Sequence, residues 1–196
     1  MQVCDRQKYI SLPDEKYVLD ARFPEIRIHY EQVIPGIAGS EVRYSRIHMS
    51  VQDNIRLQVF VNLEYTLGGG LFPDHGILSA ADLYTFNGNR TIFSGSGFFA
   101  LPYYSSATND RYFQGSLQWH TDGFLFNKVP LFKQLKLQPV FSVQYLQTER
   151  IAHYVEIAAG LEHLFTILRL DYIYVPELIP GDLSGQHHYF CIGLGL

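Results

Sequence analysis

Cysteine is nearly absent: the 196 residues hold only Cys4 and Cys191. Two distant thiols cannot build a disulfide scaffold, and they say little about redox compartment. Charge is sparse as well. Asp, Glu, Lys and Arg make up 17% of the chain, against roughly 25% in an ordinary soluble domain. Lys and Arg number 15 against 19 Asp and Glu. That balance gives no basic field and argues against nucleic acid as a partner. No stretch approaches the roughly 18 uncharged apolar residues of a membrane-crossing helix. Residues 1–30 carry charges throughout and have no apolar core of signal-peptide type.

Apolar and aromatic residues are plentiful. With 47% apolar residues, 14 Tyr and 14 Phe, the chain can bury a core, and disorder is excluded. Its length fits one domain. The dominant signal is period 2, clearest in residues 55–67. Ile55, Leu57, Val59, Val61, Leu63, Tyr65 and Leu67 alternate with Arg56, Gln58, Phe60, Asn62, Glu64 and Thr66. A helix would scatter these residues around its axis, so the run predicts a strand. It is longer than the five or six residues typical of globular sheets.

The second half repeats the pattern. Residues 111–123 set Phe113, Leu117 and Trp119 against Gln114, Ser116, Gln118 and His120. Further strands are predicted over residues 137–147, 153–163, 167–175 and 187–196. In these, Val155, Ile157, Leu161, Leu168, Leu170, Phe190, Ile192 and Leu194 share the apolar face. Glu156, Gly160, Glu162, Arg169, Asp171, Cys191 and Gly193 share the other. Residues 25–33 and 41–49 read as a hairpin, and residues 91–101 as a weaker strand. About nine strand candidates result, with no amphipathic helix.

The chemistry of catalysis is not suggested. His187 and His188 are neighbours in a strand and point to opposite faces, so they do not share a metal ion. Glu156 and Glu162 lie about 20 Å apart along an extended strand, too far for a carboxylate pair acting on one bond. Residues 94–97 (Ser-Gly-Ser-Gly) lack the basic residue and helix of a phosphate loop. Cys191 has no indicated partner histidine. The chain therefore reads as non-enzymatic, with no cofactor and no metal.

A polar face with small residues and opposite charges suits a wet interior, and an apolar face suits hydrocarbon. Tyr65, Tyr145, Tyr172 and Tyr174 lie near strand ends, as in an interfacial girdle. On this reading the fold class is all-β, an antiparallel transmembrane β-barrel. Phe113, Trp119, Leu161, Leu170 and Ile192 face lipid. Glu156, Glu162, Arg169 and Asp171 form a polar network in the lumen, with Glu156 or Glu162 supplying a carboxylate to Arg169.

Several segments carry a family resemblance. They are residues 109–112 (Asn-Asp-Arg-Tyr), 123–132 (Gly-Phe-Leu-Phe-Asn-Lys-Val-Pro-Leu-Phe), 160–165 (Gly-Leu-Glu-His-Leu-Phe), 167–172 (Ile-Leu-Arg-Leu-Asp-Tyr) and 192–196 (Ile-Gly-Leu-Gly-Leu). Residues 110–196 resemble the C-terminal part of a Bacteroidetes outer-membrane family that joins a carboxypeptidase-regulatory-like domain to a β-barrel. The last three strands are also similar to those of the surface-antigen and outer-membrane assembly-factor superfamily. The resemblance implies the bacterial outer membrane as location and a structural, translocation or assembly role. It implies outer-membrane lipid as partner, with missing N-terminal barrel strands or another outer-membrane protein beside it. Residues 1–21 then read as a poorly ordered leader. Residues 22–196 read as an incomplete barrel portion of about eight or nine strands, with residues 25–33 and 187–196 as its edges. The alternative is a soluble β-sandwich or lipocalin-like module that binds an apolar ligand, with its apolar faces turned inward.

Overall fold

The computed structural model describes residues 2–3, 7–11, 16–21, 24–36, 41–58, 61–74, 76–88, 93, 97–104, 106–121, 137–164, 167–176 and 187–194. Among them the regular structure is all β. The strands in chain order are β1 (Gln2–Val3), β2 (Gln7–Ser11), β3 (Lys16–Ala21), β4 (Glu25–Val33), β5 (Tyr44–Gln58) and β6 (Val61–Asp74). They continue with β7 (Tyr112–His120), β8 (Gln138–Thr148), β9 (Tyr154–Leu164), β10 (Leu168–Tyr174) and β11 (His188–Leu194). Strands β2 and β3 form a separate two-stranded sheet. The other nine form one sheet in the order β1-β4-β5-β6-β7-β8-β9-β10-β11. From β4 to β11 every neighbour is the next strand in the chain, and each pair is antiparallel. Such a meander needs only local connections.

The run at residues 55–67 is not one strand. It straddles the hairpin between β5 and β6, where Ile55 pairs with Leu63 and Arg56 with Asn62. These two pairs have the same parity, whereas Gln58 pairs with Val61 after a register shift beside the turn, so the alternation is back in phase from the pair of Arg56 and Asn62 onward. Periodicity cannot detect a hairpin that preserves its phase. The described part of residues 91–101 holds no regular strand either. Phe93 makes an isolated parallel bridge to Ile192, and residues 98–101 are irregular. Most of residues 89–96 lie outside the described residues.

The transmembrane β-barrel expected from the alternation is not formed. Among the described residues no ladder joins β11 to β4 or β1, and the sheet is open. The edges fall at β11 and at β4, which carries only the two-residue β1 beyond it. Alternation establishes that a sheet has two unlike faces, and open and closed sheets share that property. The outer-membrane location, the lipid partner, the missing barrel strands and the translocation or assembly role were implied by the family resemblance, and the open sheet overturns them.

The two faces differ sharply. The inner face holds the core, built by Tyr112, Leu146, Tyr154, Ala158, Ile173 and Cys191 from the strands. A strap from the β6–β7 connection covers it, with Phe98, Phe99, Ala100 and Leu101 all under 8% exposed. Leu146 and Ile173 are fully buried, each contributing roughly 1.5–3 kcal/mol relative to exposure. The outer face is apolar and exposed. The residues expected to line it, Phe113, Trp119, Leu170 and Ile192, are 41–45% exposed, and Leu161 is half-buried. The open sheet fits the sandwich or lipocalin-like alternative better than the barrel, with the difference that the apolar faces turn outward where that alternative had them inward.

Candidate functional site

Strand pairing places the inner-face polar residues. Glu162 on β9 and Arg169 and Asp171 on β10 come together, with His120 of β7 beside them. Arg169 Nε donates to Asp171 at 2.8 and 2.9 Å, and its Nη1 donates to Glu162 at 2.9 Å. Glu162 also bonds His120 Nδ1 at 3.2 Å. The Arg169 guanidinium lies 5.9 Å from the centroid of the Phe99 ring. The His120 hydrogen bond to Glu162 holds the imidazole above its ordinary range, against burial. Burial alone raises the Glu162 carboxyl, but His120 and Arg169 outweigh it and the net shift is down. Asp171 shifts up, because full burial outweighs its bond to Arg169.

Glu156 does not join this network. It is fully buried and holds the strap instead. It accepts the backbone N–H groups of Phe99 and Ala100 at 2.7 and 3.0 Å and the Tyr154 hydroxyl at 2.7 Å. Burial pushes its carboxyl up against these bonds. Gln144 adds a second tie, donating to the Gly97 carbonyl at 2.6 Å. The expected four-residue network therefore splits into a triad and a strap clamp. Sequence reasoning missed His120 as a member and Phe99 as the cover. His120 was legible in principle, since it shares the inner-face parity of Gln118.

A second inner-face cluster is aromatic. Tyr84 stacks on Tyr112 with centroids 4.1 Å apart, and His48 Nδ1 lies 2.9 Å from the Tyr112 hydroxyl. Burial raises the Tyr112 phenol and lowers His48. Arg46 pairs with Glu31 and stands 5.5 Å from the Tyr84 ring centroid. Burial and the bond to Glu31 push the Tyr44 hydroxyl up to about 12.

Neither cluster assembles a nucleophile with a base. Among the described residues no group of three or more His, Cys, Asp or Glu is placed to hold a metal ion. His187 meets the Val175 carbonyl at 2.8 Å and His188 the Tyr172 hydroxyl at 2.6 Å. Cys191 is buried, and burial pushes its thiol up, away from the thiolate form that reacts. Cys4 lies outside the described residues.

The outer face is the larger feature. Pairing lines up Leu63, Trp119, Phe141, Ala159, Tyr172 and Phe190 across six strands. The next row runs Tyr65, Leu117, Val143, Ile157 and Tyr174. Trp119 and Phe141 lie 5.8 Å apart by centroid, and Tyr172 and Phe190 5.3 Å. Neither row contains a charge between β6 and β10, although the second ends on Asp53 of β5, which pairs with Tyr65, and on His188 of β11, which pairs with Tyr174.

A family model, described as the C-terminal domain of a family of unknown function (DUF5686), matches residues 5–161. The chain belongs to this family. The match covers β2 to most of β9 and leaves out residues 167–172 and 192–196, two of the segments that carried the outer-membrane resemblance. The open sheet corrects the resemblance to the barrel family and to the assembly-factor superfamily. No match is found among curated proteins or among solved structures.

Proposed function

We propose that this DUF5686 chain is a non-catalytic binding module whose outer sheet face takes an apolar ligand built on long hydrocarbon chains. One observation carries the reading: rows of exposed and half-buried aromatic and aliphatic side chains run across strands β6 to β10 without a charge among them. Exposed apolar patches beyond a few hundred Å² mark interaction sites. Each Å² covered contributes about 25 cal/mol. An open sheet face offers no enclosed cup for a compact ligand, whereas an extended chain can lie along a row. The ligand sits on the outside of the sheet, and not in a calyx. The non-catalytic part of the reading rests on Glu156, Glu162 and Asp171 being held in structural contacts.

Trp119 is the single tryptophan and stands on this face, so it reports occupancy directly. Titration with a brominated fatty acid below its micelle concentration should quench Trp119 fluorescence in a saturable way. Trp119→Phe should keep the binding by calorimetry and lose the optical signal. Three outcomes count against the reading. Unquenched monomer is one. Ligand-free dimer that already hides Trp119 is another, since a second copy would then cover the face. Non-saturable uptake into phosphatidylcholine vesicles alone is the third.

A further inference from the structure

We propose that the cavity between the strap and the inner face of β6, β7 and β8 binds a neutral polyhydroxylated ligand, of the size of one sugar ring. This site lies on the sheet face opposite to the apolar rows and does not depend on them. Its volume is about 310 Å³, at the lower end for small-molecule pockets. The floor presents Thr66 of β6 with Gln114 and Ser116 of β7, and the walls are Tyr84, Phe86 and Phe98. Thr66 and Ser116 are directly paired across the strands.

The chemistry of the lining selects the ligand. No Asp, Glu, Lys, Arg or His lines the cavity among the described residues. A charged ligand would lose hydration there without a counter-charge. A pure hydrocarbon would leave the amide of Gln114 and the hydroxyls of Thr66 and Ser116 unpaired. Among the described residues these three side chains have no hydrogen-bond partner, so they are free to bond a ligand. A sugar supplies hydroxyls to the floor and C–H faces to aromatic walls.

The walls are also fixed in place. Tyr84 is stacked on Tyr112 and meets the edge of Phe86 at 5.2 Å between centroids. The Phe98 N–H donates to the Asn87 carbonyl at 2.8 Å. Gln144 holds Gly97 by its carbonyl. A pocket with preorganised walls spends little binding energy on ordering itself.

The test is saturation-transfer NMR on the full chain with D-glucose, D-galactose and N-acetylglucosamine, beside D-glucuronate as the charged control. At least one neutral sugar should receive saturation on its ring C–H protons, and glucuronate should not. Gln114→Met and, separately, Thr66→Val should each weaken the response by up to about tenfold. Thermal melts should match wild type. Thr66→Val is the milder change and keeps the test usable if Gln114→Met fails to fold. No transfer to any neutral sugar from folded wild type would overturn the proposal. Equal transfer from a folded variant, or glucuronate bound as well as glucose, would overturn it too.

Discussion

Glu156 on β9 accepts hydrogen bonds from the backbone N–H groups of Phe99 and Ala100, 2.7 and 3.0 Å away, and so fastens the strap to the inner face of the sheet. The strap has no strand pairing of its own at this point, so a buried carboxylate replaces a ladder. Truncation by Glu156→Ala leaves two buried donors without an acceptor. The expected cost is about 1–3 kcal/mol for each unsatisfied group, read from urea denaturation.

The same residue makes stability depend on pH. Burial raises the Glu156 pKa in the folded state, so the native protein binds this proton more tightly than the unfolded chain. Its contribution is therefore fully present below the unfolded carboxylate value, about 4.3, and is lost as pH rises through the folded value. Glu156→Gln removes this titration while keeping one acceptor. The stability difference between wild type and Glu156→Gln should shift against wild type as pH is raised from about 4 to about 8. A constant difference across that range would refute the titration.

His120 and Glu162 shift in opposite directions, and the signs set a window. His120 is raised, so its contribution is present below about pH 6.5 and fades as pH climbs through its folded value. Glu162 is lowered, so its contribution is present above about pH 4.3 and fades as pH falls through its folded value. A double-mutant cycle with His120→Gln and Glu162→Gln should give its largest coupling between those limits, on the order of 1–3 kcal/mol for a charge-assisted bond to a buried carboxylate. Coupling that is strongest near about pH 8 would rule out the charged pair.

How much of this is legible in the sequence depends on the range of each interaction. Alternation in residues 153–163 and 167–175 is enough to place Glu156, Glu162, Arg169 and Asp171 on one face. It cannot choose between Glu156 and Glu162 as the partner of Arg169, because that choice needs the cross-strand register. The outward position of Trp119 and Leu170 is a period-2 property and was readable. The hairpin inside residues 55–67 was not, since the alternation is back in phase beyond the turn. The Phe98-Phe99-Ala100-Leu101 strap is apolar without alternation, a pattern that fits a buried strand or an irregular cover equally well. Closure is a long-range property of the whole sheet, and no local pattern encodes it.

Gly160 on β9 faces Asp171 on β10 in direct register. A Cβ at position 160 would collide with the Asp171 carboxylate oxygen and stand 3.2 Å from the Leu170 carbonyl. Gly160→Ala must push Asp171 away from Arg169, or spread the two strands. The expected loss is about 1–3 kcal/mol, as for other overpacked sites. Gly115→Ala is the control. Its Cβ would meet only the flexible end of Leu67, at 3.3 Å, and its effect should stay within about 0.5 kcal/mol. Equal losses from the two variants would show that strand propensity, and not the Asp171 contact, governs position 160.

Arg169 is the cation that neutralises two buried carboxylates. It is 9% exposed, and Asp171 is fully buried. Arg169→Met keeps the packing against Phe99 but removes the donors to Asp171 and Glu162. An uncompensated buried charge costs about 3–5 kcal/mol. Losing Arg169 also removes the influence that opposes burial at Asp171, so the Asp171 pKa must rise further. A raised folded pKa favours the native state at low pH, and the damage in Arg169→Met should shrink as pH falls toward about 4. The double variant Arg169→Met with Asp171→Asn should recover part of the loss at neutral pH, because no charge is left unpaired at position 171. Urea denaturation of the two variants at neutral and acidic pH measures both effects. If the double variant is no more stable than Arg169→Met at neutral pH, the loss comes from packing around the guanidinium, and the Asp171 charge is not its cause.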